Sequence, residues 1–250
     1  MTSIDLNADV GEGGAADAAL MRLVSSANVC CGGHAGSIAL MAATVRLAVE
    51  HGVAVGAHPG HADREHFGRR EIAVEPGRCA AAIDAQIAAV AAVAGPALHH
   101  VKLHGGLYHQ VGREGRLAAA VADMLAARWP RLVVYAASGS LFAGVAQGRG
   151  LAVAEEAFID RGYKAGGTLV PRGQPGATVD DPAEAAARAV LLARHGLVRA
   201  VGGDDVFIPA DTLCLHGDGP RALELAAATR DALLAAGLEI RAATGRARPT

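Results

Sequence analysis

The chain has 250 residues, 52% of them hydrophobic and 19% charged, with a formal net charge of -2. That apolar fraction and small net charge exclude a disordered chain. A chain of this length buries roughly 70–75% of the surface it exposes when unfolded, so a full core is expected. Balanced charge and 3% aromatic residues leave no basic stacking platform for nucleic acid.

Short apolar runs alternate with longer helical patterns along the chain. Strands are expected at residues 4–10, 25–31, 53–57, 99–103, 132–136, 151–158 and 212–216, with a weaker eighth at 238–241. Helices are expected at 38–51, 78–94, 115–128, 182–194 and 220–236. Pro182 and Pro220 suit a first helical turn. Gly52, Gly196 and Gly237 follow helix ends, where a left-handed cap favours glycine. Repeated strand–helix units imply a parallel sheet covered by helices. Seven or eight such units in 250 residues fit one (β/α) barrel domain better than two domains. The Gly- and Pro-rich stretch 162–181 reads as a long functional loop of that domain.

Of the 23 basic residues only Lys102 and Lys164 are lysine, so arginine is the generic surface cation here. The four cysteines form no disulfide framework, since Cys30 and Cys31 are adjacent. The first residues carry no signal-peptide pattern, and the alanine-rich stretch 80–98 is too short and too weak for a membrane span. These features predict a reduced, cytoplasmic protein without membrane or nucleic-acid partners. No P-loop, dinucleotide fingerprint, nucleophile elbow or Cys-x-x-Cys occurs. Acid–base or metal-assisted chemistry on a small polar molecule remains.

The polar residues concentrate where strands end. The segments read DLNADVGEG (5–13), SSANVCCGGHAG (25–36), GAHPGHAD (56–63), VKLHGGLYHQ (101–110), AEEAFIDRGY (154–163) and LCLHGDGP (213–220). In a barrel the carboxyl ends of the strands surround one site. Residues two apart on a strand share a face, so Asn7 pairs with Asp9, Lys102 with His104, and His216 with Asp218 if the strand runs that far. Asp9 reads as a base, a metal ligand or a turn cap. Glu12 reads as a site group or a solvated loop charge. His34 and His58 read as site groups or satisfied core histidines. Lys102 on an apolar strand needs a buried partner. Glu155 and Glu156 alternate, so only one faces inward. His51 and His195 suit helix C-termini. His58 and His61 form a His-x-x-His, which is weak evidence for a metal.

Together with FGRRE (67–71) and LVPRG (169–173), these blocks resemble, in order, the LamB/YcsF family, the A component of the bacterial 5-oxoprolinase. The resemblance implies a distorted (β/α) barrel akin to glycoside hydrolases and polysaccharide deacetylases. It also implies two partner subunits, B and C, and opening of 5-oxoproline to L-glutamate coupled to hydrolysis of ATP to ADP and phosphate. On that reading Asp9 or His58 activates water, and Lys102 with His104 meets the developing negative charge. Arg70 or Arg172 holds the substrate carboxylate. Asn7, Glu12, His34, Glu155, Asp160 and His216 complete the substrate pocket. Lys102→Met is expected to abolish activity and leave the fold. The related deacetylases use an Asp and two His, which map loosely onto Asp9, His34 and His58 as a divalent-metal set. The sequence departs from the family pattern at Gly33, Ser37, His61, Leu103 and His109, where Phe, Asp, an aromatic residue, Pro and Asn are usual. Two alternatives stay open: a stand-alone metal-dependent deacetylase or amidohydrolase, and a non-catalytic ligand-binding barrel serving a partner enzyme.

Overall fold

A computed structural model describes residues 2–217, 219 and 221–246 of the chain. The expected roles of Asp218 and Pro220 lie outside the described residues.

The first half runs β1 (Ser3–Val10), α1 (Asp17–Leu20), β2 (Ser26–Cys30), α2 (Ile38–Glu50), β3 (Ala54–His58), α3 (Pro76–Ala94), β4 (Leu98–Lys102), α4 (Gly105–Arg113) and α5 (Gly115–Arg128). The second half runs β5 (Val133–Ala137), α6 (Leu141–Gly148), β6 (Val153–Phe158), α7 (Pro182–His195), β7 (Leu197–Arg199), β8 (Asp205–Phe207), β9 (Thr212–His216), α8 (Ala222–Ala235) and β10 (Glu239–Ile240). Strands β1 to β6 pair in sequence order, and β9 closes the ring between β6 and β1. All these pairings are parallel, as is that of β10 with the start of β1. The result is a closed seven-strand barrel with an extra eighth strand, as the sequence pattern predicts.

The capping chemistry follows the sequence. Asp181 precedes Pro182 and accepts from the amides of Ala183 at 2.7 Å and Glu184 at 3.2 Å, while Gly196 ends α7 in the left-handed region. Glu75 caps α3 in the same way, so this helix starts at Pro76 rather than at Arg78. By length and composition α3 with its final turn could cross a membrane. Its residues Cys79, Ile83, Ile87 and Val90 are nonetheless buried at helical spacing in the core.

Besides the one-turn helix α1, which the sequence reading did not include, three elements differ from the sequence expectation. Helix α4 begins directly after His104, inside a segment that reads as a strand end. Helix α6 carries two glycines in eight residues, which weakens its helical signature, and is capped by the Ser140 hydroxyl accepting from Ala143 N at 3.2 Å. An antiparallel hairpin, β7–β8, interrupts the return from α7 to β9. Two strands of three residues are too short to give a readable period.

The barrel lumen is polar, unlike the branched apolar filling usual for this architecture. Alternate residues of β1 (Asp5, Asn7, Asp9), β2 (Ser26, Asn28) and β4 (His100, Lys102) are all buried. Between them, Leu6, Ala8, Ala27, Val29 and Val101 join the hydrophobic core. Such a lumen is tolerable only if its polar atoms pair, and they do. At the amino-terminal end Asp5 Oδ1 accepts from Ser25 Oγ at 2.6 Å and Ser26 Oγ at 2.8 Å, and Oδ2 accepts from Thr212 Oγ1 at 2.6 Å. In the next layer His100 Nε2 donates to Asn28 Oδ1 at 2.9 Å. Asn28 Nδ2 donates in turn to Asn7 Oδ1 at 2.7 Å and Asp9 Oδ1 at 2.8 Å. Burial, then the neighbouring charges, push the pKa of His100 well below its usual range, so it acts as a neutral donor.

Candidate active site

At the carboxyl ends of the strands this network meets the Lys102 ammonium. Lys102 is 3% exposed, and its Nζ lies 2.9 Å from Asp9 Oδ1, 3.0 Å from Glu156 Oε1, 2.9 Å from Cys214 Sγ and 3.3 Å from Asn7 Oδ1. Burial disfavours the ammonium, but the charges of Asp9 and Glu156, with the Cys214 sulfur beside it, outweigh it and raise its pKa well above the usual range. Asp9 is the mirror case. Burial works against its carboxylate, yet His58 and Lys102 hold it well below the usual carboxylate range. Lys102 is therefore a fixed internal counter-ion whose donors are already engaged.

Beside Asp9 lies an imidazole cluster. His58 Nε2 is 3.3 Å from Asp9 Oδ2 and 2.9 Å from His104 Nδ1. The outer nitrogens are tied down: His58 Nδ1 donates to the Lys102 carbonyl at 2.8 Å, and His104 Nε2 to the Phe67 carbonyl at 2.9 Å. A carbonyl only accepts, so both outer nitrogens carry hydrogen. The two inner nitrogens therefore face each other across one proton or one cation. Burial, then the neighbouring histidines, push His104 down to about 2. Glu12 Oε1 lies 3.5 Å from His104 Nδ1 and 3.0 Å from His34 Nε2. Burial pushes His34 down to about 4.

Among the described residues, two groups of side chains bring metal-ligating atoms within 4.8 Å of one another: Glu12, His34, His58 and His104; and Asp9, Cys214 and His216. The expected trio of Asp9, His34 and His58 is not one of them, although Asp9 Oδ2 lies 3.3 Å from His58 Nε2; Asp9 Oδ1 is held by Lys102 and Asn28. The second group does not fit a metal for a similar reason: the Lys102 ammonium already holds both Asp9 and Cys214. In the first group, Glu12, His58 and His104 fit a divalent ion. Both histidines donate their outer N–H to a backbone carbonyl and aim an open nitrogen inward, as metal-bound histidines do. His34 does not join them. Its ring stacks on His104 at 3.6 Å and 4° between planes, so one ion cannot lie in the plane of both rings.

On the other flank of Asp9 stands His216, its register partner across β1 and β9. Asp160 Oδ2 accepts from both the His216 backbone N at 2.9 Å and its Nδ1 at 2.8 Å. The ring of Phe158 stacks on His216 at 5.7 Å and 11°. Burial opposes the imidazolium, but the Asp160 carboxylate, helped by Asp9, raises the pKa of His216 above its usual value.

These groups open into a cavity of about 860 Å³. Of the sequence-predicted site residues, Asp9, Glu12, His58, Lys102, His104, Arg172 and His216 line it. Asn7 lies below it in the lumen, His34 behind Glu12 and His104, and Asp160 behind His216. Arg70 is not at the wall. It is 57% exposed and its guanidinium pairs with Asp63 at 3.0 and 3.1 Å. Its neighbour Arg69 lines the cavity instead. Glu155 also turns away, accepting from Gly139 N at 2.9 Å. The pleat of β6 puts Glu156 inside, where it accepts from Tyr108 at 2.7 Å. Sequence reasoning left the facing of this pair open, and only the closure of the ring decides it. Tyr108 and Arg161 were missed as wall residues. Tyr108 was legible, since it lies four residues after His104 and so shares its face on a helix. His61 meets Gln110 Oε1 at 2.6 Å and takes no part with His58.

Residues 4–248 match the sequence profile of the LamB/YcsF family. The crystal structure of a lactam utilization protein from Thermus thermophilus is similar at 44% identity and a TM-score of 0.89, covering 96% of this chain and 99% of that one. A family 4 carbohydrate esterase from Streptomyces lividans, solved with acetate, shares the fold at 11% identity and a TM-score of 0.55, covering 96% of this chain and 91% of that one.

Proposed function

Because this chain belongs to the LamB/YcsF family, we propose that it is the barrel subunit of an ATP-dependent 5-oxoprolinase. In that reading it works with partner subunits B and C, opens the lactam of 5-oxoproline to L-glutamate, and couples ring opening to hydrolysis of ATP to ADP and phosphate. The Thermus relative is a lactam utilization protein, which supports a lactam as substrate. The observation that carries the reading is the run Asp9–His58–His104 at the cavity wall. It supports the reading by offering an ionised carboxylate and a tautomer-locked imidazole side by side at the cavity, the pair that hydrolysis of a small cyclic amide would use. A lactam resists water because amide resonance must be lost, so the site needs a base and a stabiliser of the oxyanion.

In this scheme Asp9 with His58 takes the proton of water. Lys102 holds Asp9 ionised rather than touching the oxyanion, because its ammonium is already surrounded by Asp9, Glu156, Cys214 and Asn7. Arg172 and Arg161 on the wall attract the ring carboxylate, a role that Arg70 cannot fill from its place on Asp63. A divalent ion held by Glu12, His58 and His104 would supply Lewis-acid polarisation of the carbonyl, and with His58 Nε2 then engaged, Asp9 alone would be the base.

The test is glutamate release from 5-oxoproline by this protein alone and with B and C, each with and without ATP. Glutamate only in the complete mixture supports the reading, and none there refutes it. The inward-facing donors of Glu12, His58 and His104 favour one second reading, a stand-alone metal-dependent amidohydrolase or deacetylase. Stoichiometric bound metal with turnover independent of ATP would establish it instead.

A further inference from the structure

Resting on that reading, we propose that His216 is the acid of the ring opening: its Nε2 delivers the proton that the lactam nitrogen needs as the ring C–N bond breaks, with Asp160 as its positioning residue.

Three observations place this role on His216. The first is its orientation. Asp160 Oδ2 is a pure acceptor, so the 2.8 Å contact makes Nδ1 the hydrogen-bearing nitrogen on that side. Asp160 also accepts the backbone N–H of His216, and the Phe158 ring runs near-parallel to the imidazole at 5.7 Å between centroids, so the Asp160 contact sets the ring's orientation. Among the described residues Nε2 has no hydrogen-bond partner, and His216 lines the cavity. The second observation is position. His216 and Asp9 are register partners on neighbouring strands, with donor atoms within 4.8 Å. His58 reaches Asp9 from the opposite side of β1, because β3 lies beyond β2. A small ring above Asp9 thus has the water-activating pair on one flank and His216 on the other.

The third observation is charge. Asp160 Oδ1 is buried with no partner among the described residues, so this carboxylate relies on His216 for compensation. The charged and titratable groups around His216 include Asp160, Asp9, Lys102 and the Cys214 thiol, with Arg161 acting on Asp160, and the two carboxylates favour the protonated form of His216. Four other groups at the wall are unsuited. Asp9 is held ionised, Lys102 is enclosed, and the Tyr108 hydroxyl is bound to Glu156. His109 is held neutral by burial, with Arg161 adding to the effect.

The proton balance closes without any oxidant or reductant. Water adds its oxygen to the carbonyl carbon and gives one proton to the Asp9–His58 pair. The C–N bond breaks, its electron pair returns to nitrogen, and the His216 Nε2 proton fills it. The proton taken from water is released to solvent, and His216 regains one from solvent. Ring opening consumes one water, and the coupled hydrolysis of ATP to ADP and phosphate consumes a second.

The experiment uses the assembled complex with ATP. His216→Gln, with His216→Asn as the second variant, is expected to lose a hundredfold or more in kcat on 5-oxoproline, in line with general-acid contributions. Its dissociation constant for 5-oxoproline, measured by calorimetry, should stay within threefold. Asp160→Asn removes the charge that favours the imidazolium, so the alkaline limb of its kcat–pH profile should move at least one pH unit lower. A His216 variant that folds and keeps kcat within tenfold overturns the proposal, as does an alkaline limb unmoved by Asp160→Asn. A wild-type complex that releases no glutamate overturns the 5-oxoprolinase reading itself, an outcome distinct from an active wild type with equally active variants.

Discussion

Replacing Lys102 by Met tests whether the ammonium is a counter-ion inside the barrel. Its Nζ sits 2.9 Å from Asp9 Oδ1 and 3.0 Å from Glu156 Oε1, both buried. At an effective dielectric constant of about 20, each contact represents about 6 kcal/mol of gross attraction. Most of that offsets the cost of taking three charges out of water. The net loss on removing one partner of a buried network is about 3–5 kcal/mol, because the remaining charges are left uncompensated. For a chain of this size that lowers Tm by roughly 6–20 °C. The sequence reading instead expects lost activity with the fold undisturbed, and the same variant separates the two. Methionine fills the space but leaves two carboxylates facing each other. Urea unfolding followed by far-UV circular dichroism measures the loss. Adding Glu156→Gln to Lys102→Met removes one of the stranded charges and should recover part of the stability. A Lys102→Met protein within about 1 kcal/mol of wild type, against that expected cost, would refute the counter-ion argument.

Glu155→Gln and Glu156→Gln should separate cleanly. The first should leave glutamate formation within a factor of about three, on the view that a half-exposed hydrogen bond is worth little. The second, losing a buried partner of Lys102 and Tyr108, should lower both Tm and kcat. Equal effects in a side-by-side assay would mean that β6 is registered differently. Gly106→Ala should destabilise the protein by more than about 1 kcal/mol, because an added Cβ would run into the Arg70 carbonyl. A thermal melt unchanged from wild type would contradict this close approach. Burial pushes the thiols of Cys30 and Cys79 up to about 11. At pH 8 only on the order of a thousandth of each is thiolate, so iodoacetamide should label them far more slowly than in urea. Rapid labelling in the folded protein would show that these sites are open.

The alternating sequence Asp5-Leu6-Asn7-Ala8-Asp9 already determined a strand with one polar and one apolar face. Period-two patterning is a property of the pleat and needs no partner to be read. The seven ring strands, the capped start of α7 and the gathering of ionisable residues at strand ends were likewise legible. Each rests on local periodicity or on a turn residue with a fixed backbone preference. The direction of the polar face was not local information. In an ordinary barrel the lumen is apolar, and only the closed ring shows that Asp5, Asn7, Asn28, His100 and Lys102 point into it and satisfy one another. The choice of Glu156 over Glu155, the withdrawal of Arg70 onto Asp63, and the stacking of His34 on His104 were also decided in three dimensions. So was the pairing of His216 with Asp160, 56 positions apart in the chain. Sequence supplies the residue types and the period of each strand. Which charge neutralises which depends on distances between chain-remote atoms, and those are fixed only when the barrel closes.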